Sequence, residues 1–140
     1  MVFTVQLNTC GVDWHEVSEL LRLAGMAYYD GDIHKQAFSR SHTVMFVFHA
    51  EKLVGMGRVI SDGTYQAAMY DVAVLPAYQG KGFGRFIVQS LLGYCVACHV
   101  ILYASPGKEP FYEKSNFKRL KTGMALFVNA ERMEKKGFIY

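Results

Sequence analysis

Asp71-Val72-Ala73-Val74-Leu75-Pro76-Ala77-Tyr78-Gln79-Gly80-Lys81-Gly82-Phe83-Gly84-Arg85 reads as strand, tight loop and helix, and it decides the fold. Residues 66–75 are rich in apolar and β-branched side chains and run into Pro76, the pattern of a buried strand ended by proline. From Phe83 onward Phe83, Phe86, Ile87, Leu91 and Cys95 recur at helical steps, so a helix starts at the glycine cluster. Gly80, Gly82 and Gly84 open backbone conformations closed to other residues and let a ligand approach bare main chain. The first amides of the helix have no internal partner and lie at its positive end, which makes the loop a site for a phosphate or pyrophosphate. Lys81 and Arg85 add charge beside it.

Two common glycine-loop readings fail on spacing. A dinucleotide fingerprint needs glycine at its sixth position, where counting from Gly80 gives Arg85. A P-loop needs Ser or Thr after Gly-Lys, and Lys81 is followed by Gly82. What remains is Gln79-x-x-Gly82-x-Gly84, preceded by Val74-x-Pro76. This resembles the acetyl-coenzyme A signature of the GNAT (GCN5-related) N-acetyltransferase superfamily. A second block, Phe111-Tyr112-Glu113-Lys114-Ser115-Asn116-Phe117, resembles that family's Phe-Tyr-Glu-Lys-x-Gly-Phe segment, with Asn116 in place of glycine. Asparagine is the next best residue for a left-handed helix end. The resemblance runs from about Val44 to Val128 and is weakest on the N-terminal side.

At 140 residues with 51% hydrophobic composition, the chain suits one domain, residues 1–140, with a proper core. No apolar run approaches a membrane span and no export signal is visible, so a cytoplasmic protein is expected. A net charge of +3 without a Lys/Arg run argues against nucleic acid as partner and is accounted for by a polyanionic cofactor. Cys95-x-x-Cys98-His99 has the spacing of a haem-attachment or redox motif. Without an export signal, and at a helix-to-strand junction, these cysteines read as small buried hydrophobes. The five histidines show no metal-ligand spacing, and no metal is expected.

Outward from the loop, Phe3, Val5 and Leu7 alternate as a short strand. Asp13 with Glu16 forms a capping box for a helix ending near Tyr28. A brief second helix runs through Lys35 and Phe38. Thr43 to His49 and Leu53 to Ile60 form a hairpin, followed by the turn at Ser61 to Thr64 and the organising strand. Val100 to Tyr103 is a compact apolar strand, Pro110 opens a short helix, Met124 to Val128 is a last strand, and Ala130 to Lys136 a terminal helix or tail.

By resemblance the fold is α/β in the α+β sense: a mixed, mostly antiparallel sheet of about six or seven strands with helices on both faces, and a parallel pair splayed around Val74 and Ile101. The implied activity is transfer of an acetyl group from acetyl-CoA to a primary amine of a small molecule or an exposed amino group, by direct attack in a ternary complex. The alternative is an acetyl-CoA-binding sensor or interaction module without catalysis. The resemblance assigns the pyrophosphate to Gln79, Gly80, Lys81, Gly82, Phe83, Gly84 and Arg85, and the pantetheine arm and thioester to Val72, Ala73 and Val74. Ser105 stands where many members carry a pantetheine-binding asparagine. Tyr112 is the catalytic candidate, a general acid for the leaving thiolate, with Tyr103 as its competitor.

The family's strand glutamate is absent, its place taken by Ala68. Tyr70 and Asp71 are the polar residues near it, and simple strand alternation puts them on opposite faces. Tyr29, Asp30 and Tyr70 are candidates for the acceptor wall. Asp30, Asp32 and Asp62, if they border the cleft, favour a cationic acceptor. The apolar end Phe138-Ile139-Tyr140 leaves a homodimer open.

Overall fold

The structure, a computed structural model, describes residues 2–140. The chain divides into two compact units, Met1–Leu102 and Tyr103–Tyr140.

The first unit is built on a five-stranded sheet in sequential order: β1 (Phe3–Gln6), β2 (Thr43–His49), β3 (Lys52–Ser61), β4 (Gln66–Val74) and β5 (His99–Ile101). The first four are antiparallel neighbours and β5 runs parallel to β4. The hairpin between β2 and β3 closes in two residues, Ala50 and Glu51, both left-handed at φ +50° and +67°. Such primed turns match the strand twist.

Helices cover both faces of the sheet, and alternation shows which residues meet them. Phe46 and its cross-strand partner Met56 face α1 (Trp14–Leu23) and α2 (Gly31–Ser39), where Trp14 and Phe38 close on Phe46 at ring separations of 6.1 and 5.5 Å. Met45 and Val47 lie opposite Gly57 and Gly55 on the other face, under α3 (Phe83–Leu92). The two glycines let α3 approach. A Cβ on Gly57 would lie 2.8 Å from Leu91 Cδ1, and one on Gly55 2.9 Å from Ile87 Cδ1. Ile87, Val88 and Leu91 form the buried stripe, whereas Phe86, expected in it, is exposed. Complete burial of each large side chain here contributes about 1.5–3 kcal/mol.

Three other expectations need correction. The first helix stops at Leu23, where Gly25 takes φ +76° and the Met26 N–H closes on Leu21 C=O. Only half of the capping box forms: Asp13 accepts from the His15 and Glu16 amides, but the Glu16 carboxylate accepts from the Leu53 N–H at 2.8 Å, tying α1 to β3. The sheet has five strands instead of six or seven, because Met124 to Val128 carries no ladder. Within its own unit there is no described strand to pair with it, and Met124, Leu126 and Val128 are fully exposed.

The second unit holds α4 (Glu109–Glu113) and α5 (Ala130–Lys135). Each ends in the same left-handed turn. Asn116 at φ +70° sends its N–H to Glu113 C=O and the Phe117 N–H to Tyr112 C=O; Gly137 at φ +86° repeats this with Glu134 and Met133. The rings of Tyr103, Phe127 and Phe138 pack edge to face at 5.5–6.4 Å.

Candidate active site

The parallel ladder between β4 and β5 is short: Gln66 to Ala68 pair with His99 to Ile101. Beyond Ala68, β4 continues to Val74 bonded only to β3. The parallel pairing therefore ends at Ala68 and Ile101, with Val74, about which the splay was expected, well past the last pair. Main-chain groups alternate along a strand, and the Leu75 N–H goes to Val54 C=O on the β3 side. The N–H and C=O of Val72 and Val74 consequently face the open side. There the Gln79 side chain donates to Val74 C=O at 2.9 Å, so Gln79 folds back onto the strand it follows.

After Val74 the chain makes one 3-10 turn, Pro76–Tyr78, and enters the glycine loop. Gly80 and Gly82 take φ +75° and +91°, which a side chain would strain, and a Cβ at either would meet nothing within 4 Å. The glycines are needed for backbone shape, and they leave open space. Gly82 is the residue before α3, and no side chain caps the helix. The amides of Phe83, Gly84 and Arg85 thus open the positive end of a ten-residue helix. Lys81 Nζ stands 5.9 Å over the Tyr78 ring. The Phe83 ring packs on Phe3 at 4.7 Å and on Tyr78 at 5.9 Å. Beside it Tyr78 Oη bonds His49 Nδ1 at 2.7 Å, which gives His49 a structural partner.

The residue donors that a pyrophosphate and a pantetheine arm require are in sequence here: uncapped amides, two cations and a strand edge freed from its neighbour. These fit acetyl-CoA.

The other face of β4 corrects the alternation expected for Tyr70 and Asp71. Arg58 lies opposite Tyr70 and Met56 opposite Ala73, so Asp71 and Val72 together oppose Gly57. This is a β-bulge, and Asp71 holds its left-handed position at φ +56°. Both neighbours then engage one cation. Arg58 Nε donates to Asp71 Oδ2 at 2.6 Å while its guanidinium lies 5.4 Å from the Tyr70 ring.

Tyr29 and Asp30 form the approach to α2. The Tyr29 N–H donates to His34 Nε2 at 2.9 Å, and its C=O accepts from Ser18 Oγ at 2.7 Å. The Asp30 C=O begins the helix, while its side chain makes no capping bond. His34 is buried, and burial first, with Arg58 adding, lowers its pKa against the pull of Asp71. Asp62 is occupied otherwise: its Oδ1 accepts from the amides of Thr64, Tyr65 and Gln66, a turn role that also lowers its pKa.

Ser105 and Tyr112 belong to the second unit. Ser105 C=O accepts from the Lys108 N–H at the turn before α4. The Tyr112 ring packs against Phe111 and Phe117 at 4.9 and 5.9 Å, and burial raises its phenol pKa. The phenol therefore stays protonated over the physiological range. The three cysteines are free thiols, and among the described residues no group of three His, Cys, Asp or Glu side chains is placed to hold a metal. No helix among them is long and apolar enough to cross a membrane.

Sequence reasoning missed Arg58, His34, Gly55 and Gly57. Only the paired glycines of β3, out of place in a central strand, carried a signal.

Known proteins share both the sequence pattern and the fold. The family described as Acetyltransferase (GNAT) domain matches residues 23–130. An uncharacterized N-acetyltransferase, ycf52, from Pyropia yezoensis is 35% identical over 47% of this chain and 40% of its own length. A ycf52-like N-acetyltransferase from Prochlorococcus marinus is 29% identical over 76% and 63% respectively, and serotonin N-acetyltransferase 2, chloroplastic, from Oryza sativa is 28% identical over 94% and 71%. The chain thus spans less than two thirds of the length of the first two. Among solved structures, a probable acetyltransferase of unknown function from meticillin-resistant Staphylococcus aureus superposes with a TM-score of 0.82 at 22% identity, covering 91% of this chain and 99% of that one. With the β4–β5 ladder ending at Ala68, the uncapped glycine loop and the family match over 23–130, the chain belongs to the GNAT family of N-acetyltransferases.

Proposed function

We propose that the protein transfers an acetyl group from acetyl-CoA to a primary amine, of a small molecule or an exposed amino group, by direct attack within one ternary complex. The observation that carries this reading is the end of the β4–β5 pairing at Ala68, which leaves the last residues of β4 bonded only to β3 as they lead into the uncapped start of α3. Amides of residues 80–85 with Lys81 and Arg85 would hold the pyrophosphate, main-chain groups of Val72, Ala73 and Val74 the pantetheine arm, and Ser105 would add a hydroxyl. Acetyl-CoA supplies a thioester as the activated acyl donor.

The open-side N–H of Val74 is suited to stabilise negative charge developing on the acyl oxygen. As the amine nitrogen bonds the acyl carbon and the carbon–sulfur bond breaks, the Tyr112 phenol gives its proton to the departing sulfur. The proton lost by the amine leaves through water. Ala68 has no acid group, and the Asp71 carboxylate is engaged by Arg58. That same lack of an unengaged carboxylate on the splayed part of β4 favours the second reading, an acetyl-CoA-holding module without turnover. A single acetyltransferase domain in the cytoplasm completes the proposal; three relatives bear chloroplastic names.

Titration calorimetry with acetyl-CoA, on wild type, Gly82→Asp and Tyr112→Phe, tests the holding step. A thiol-release assay over polyamines, serotonin and lysine peptides tests the transfer. Saturable binding lost in folded Gly82→Asp supports the loop assignment. In Tyr112→Phe, binding is retained and kcat falls by about 10²-fold. Binding without release for any amine selects the second reading, and no binding by wild type overturns both.

A further inference from the structure

The bulge at Asp71 does more than bend a strand. Side chains and main-chain groups alternate in β4, so inserting one residue reverses the assignment of everything after it. Before the bulge, Tyr70 is directly opposite Arg58; after it, Ala73 is directly opposite Met56. With the extra residue, Val72 and Val74 turn their main-chain groups to the open side and their side chains to α3, where a Cβ on Gly57 would lie 3.3 Å from Val72 Cγ2. Without it, Ala73 would take the open side and both valines would be driven toward α1 and α2. The parity of the last three residues of β4 is therefore set at one position.

That position is left-handed and is occupied by aspartate, although glycine would take φ +56° with less strain. Something must hold it. Arg58 Nε bonds Asp71 Oδ2 at 2.6 Å with the two side chains only 14% and 22% exposed. The guanidinium is fixed on three further sides: it lies 5.4 Å from the Phe38 ring and 5.4 Å from the Tyr70 ring, and Nη1 donates to Ser41 Oγ at 3.2 Å. Ser41 in turn donates to Ala37 C=O at 2.9 Å. The cation is thus anchored to the C-terminal end of α2, and it reaches across β3 to β4.

We infer that Arg58 and Asp71 are positioning residues for the acyl group: their ion pair latches the β4 bulge in the parity that presents the Val72 and Val74 main-chain groups to the coenzyme arm. The inference rests on the acetyltransferase reading for its consequence in catalysis, and on the geometry alone for the latch. It places α2, through Phe38 and Ser41, in mechanical series with the strand that carries the acyl site.

Three variants test the latch: Arg58→Met, the double Arg58→Met/Asp71→Gly, and Asp71→Asn. In the coenzyme-free protein, amide hydrogen exchange at Ala73 and Met56 is expected to accelerate in Arg58→Met. Its kcat with acetyl-CoA falls by about 10- to 100-fold, the scale of a misplaced reacting group. The double variant recovers most of kcat and the slow exchange, because glycine takes the bulge conformation unaided, while its melting temperature stays low. A residue serving only stability would not separate in this way. Asp71→Asn tolerates the left-handed backbone and still accepts from Arg58, so its kcat stays within about threefold of wild type.

Arg58→Met with wild-type exchange and kcat overturns the proposal, as does a double variant no better than Arg58→Met. Loss of activity in Asp71→Asn with unchanged exchange overturns it too, since the carboxylate would then act chemically. If Arg58→Met does not fold, Asp71→Asn and the double variant decide on the same readouts. The exchange arm uses no coenzyme, so a wild type that fails to bind acetyl-CoA would sink the activity and leave the latch standing.

Discussion

Residues 2–102 and 103–140 solve the same problem, burying apolar side chains, by different means. In the first unit every strand is laddered to a neighbour, and the core of Phe38, Phe46, Met56, Ile87 and Leu91 lies sealed between sheet and helices. In the second no residue is fully buried. Its order comes from ring-to-ring contacts and from two helix ends closed by left-handed residues. The difference teaches where holding and chemistry can be separated. The main chain proposed to hold the coenzyme lies in the laddered first unit, and Tyr112, the proposed proton donor, lies on a short helix of the second that is closed by its own cap.

The comparison is exposed to the greatest risk by paired truncations. Phe46→Ala should lower stability by about 3–5 kcal/mol in urea unfolding, and Phe127→Ala by about 1 kcal/mol; equal losses would erase the distinction. Next in size is Asn116. Asn116→Ala puts a β-carbon with no compensating polar group at φ +70°, at a cost of about 1–2 kcal/mol, while Asn116→Gly should be neutral. The same pair of variants should change kcat in parallel if the cap sets the Tyr112 ring.

A smaller effect is pH-dependent and belongs to the first unit. His34 is held neutral, its Nε2 accepting from the Tyr29 N–H, and its folded pKa is below the unfolded one. Its contribution is therefore complete above the ordinary imidazole pKa of about 6.5 and is lost as pH falls through that value toward the lower folded one. Arg58 and Asp71 face it with opposing signs. In His34→Gln the fall in melting temperature between about pH 7 and pH 5 should shrink. The smallest effect is expected at the exposed stripe, where Leu126→Ser should shift stability by less than about 0.5 kcal/mol. A larger loss would mean that Met124, Leu126 and Val128 are covered in solution.

Much of this was legible beforehand because it rests on local rules. The glycine loop, the proline stop of β4, the β2–β3 hairpin and the left-handed Asn116 each follow from what a backbone can do at one or two residues. The missing strand was not legible. Met124 to Val128 is an apolar run of strand length, but a ladder needs a partner, and a partner is a property of the whole fold. The Asp71 bulge was hidden for a related reason. Alternation predicts a face only while the register is unbroken, and the extra residue opposite Gly57 breaks it beside an Asp71 whose partner, Arg58, is thirteen residues away.

Gly55 and Gly57 carry a last consequence. A helix resting on side chains inherits their rotamer hopping, so its height above a sheet fluctuates on the picosecond-to-nanosecond scale. Where α3 meets β3 the sheet offers bare main chain on its side, and the helix is referenced directly to the backbone ladder. At these two positions no β3 side chain stands between the ladder and the helix. The two absent methyl groups act as a spacing gauge, and the glycine loop at the helix start inherits the stiffness of the ladder it is measured from.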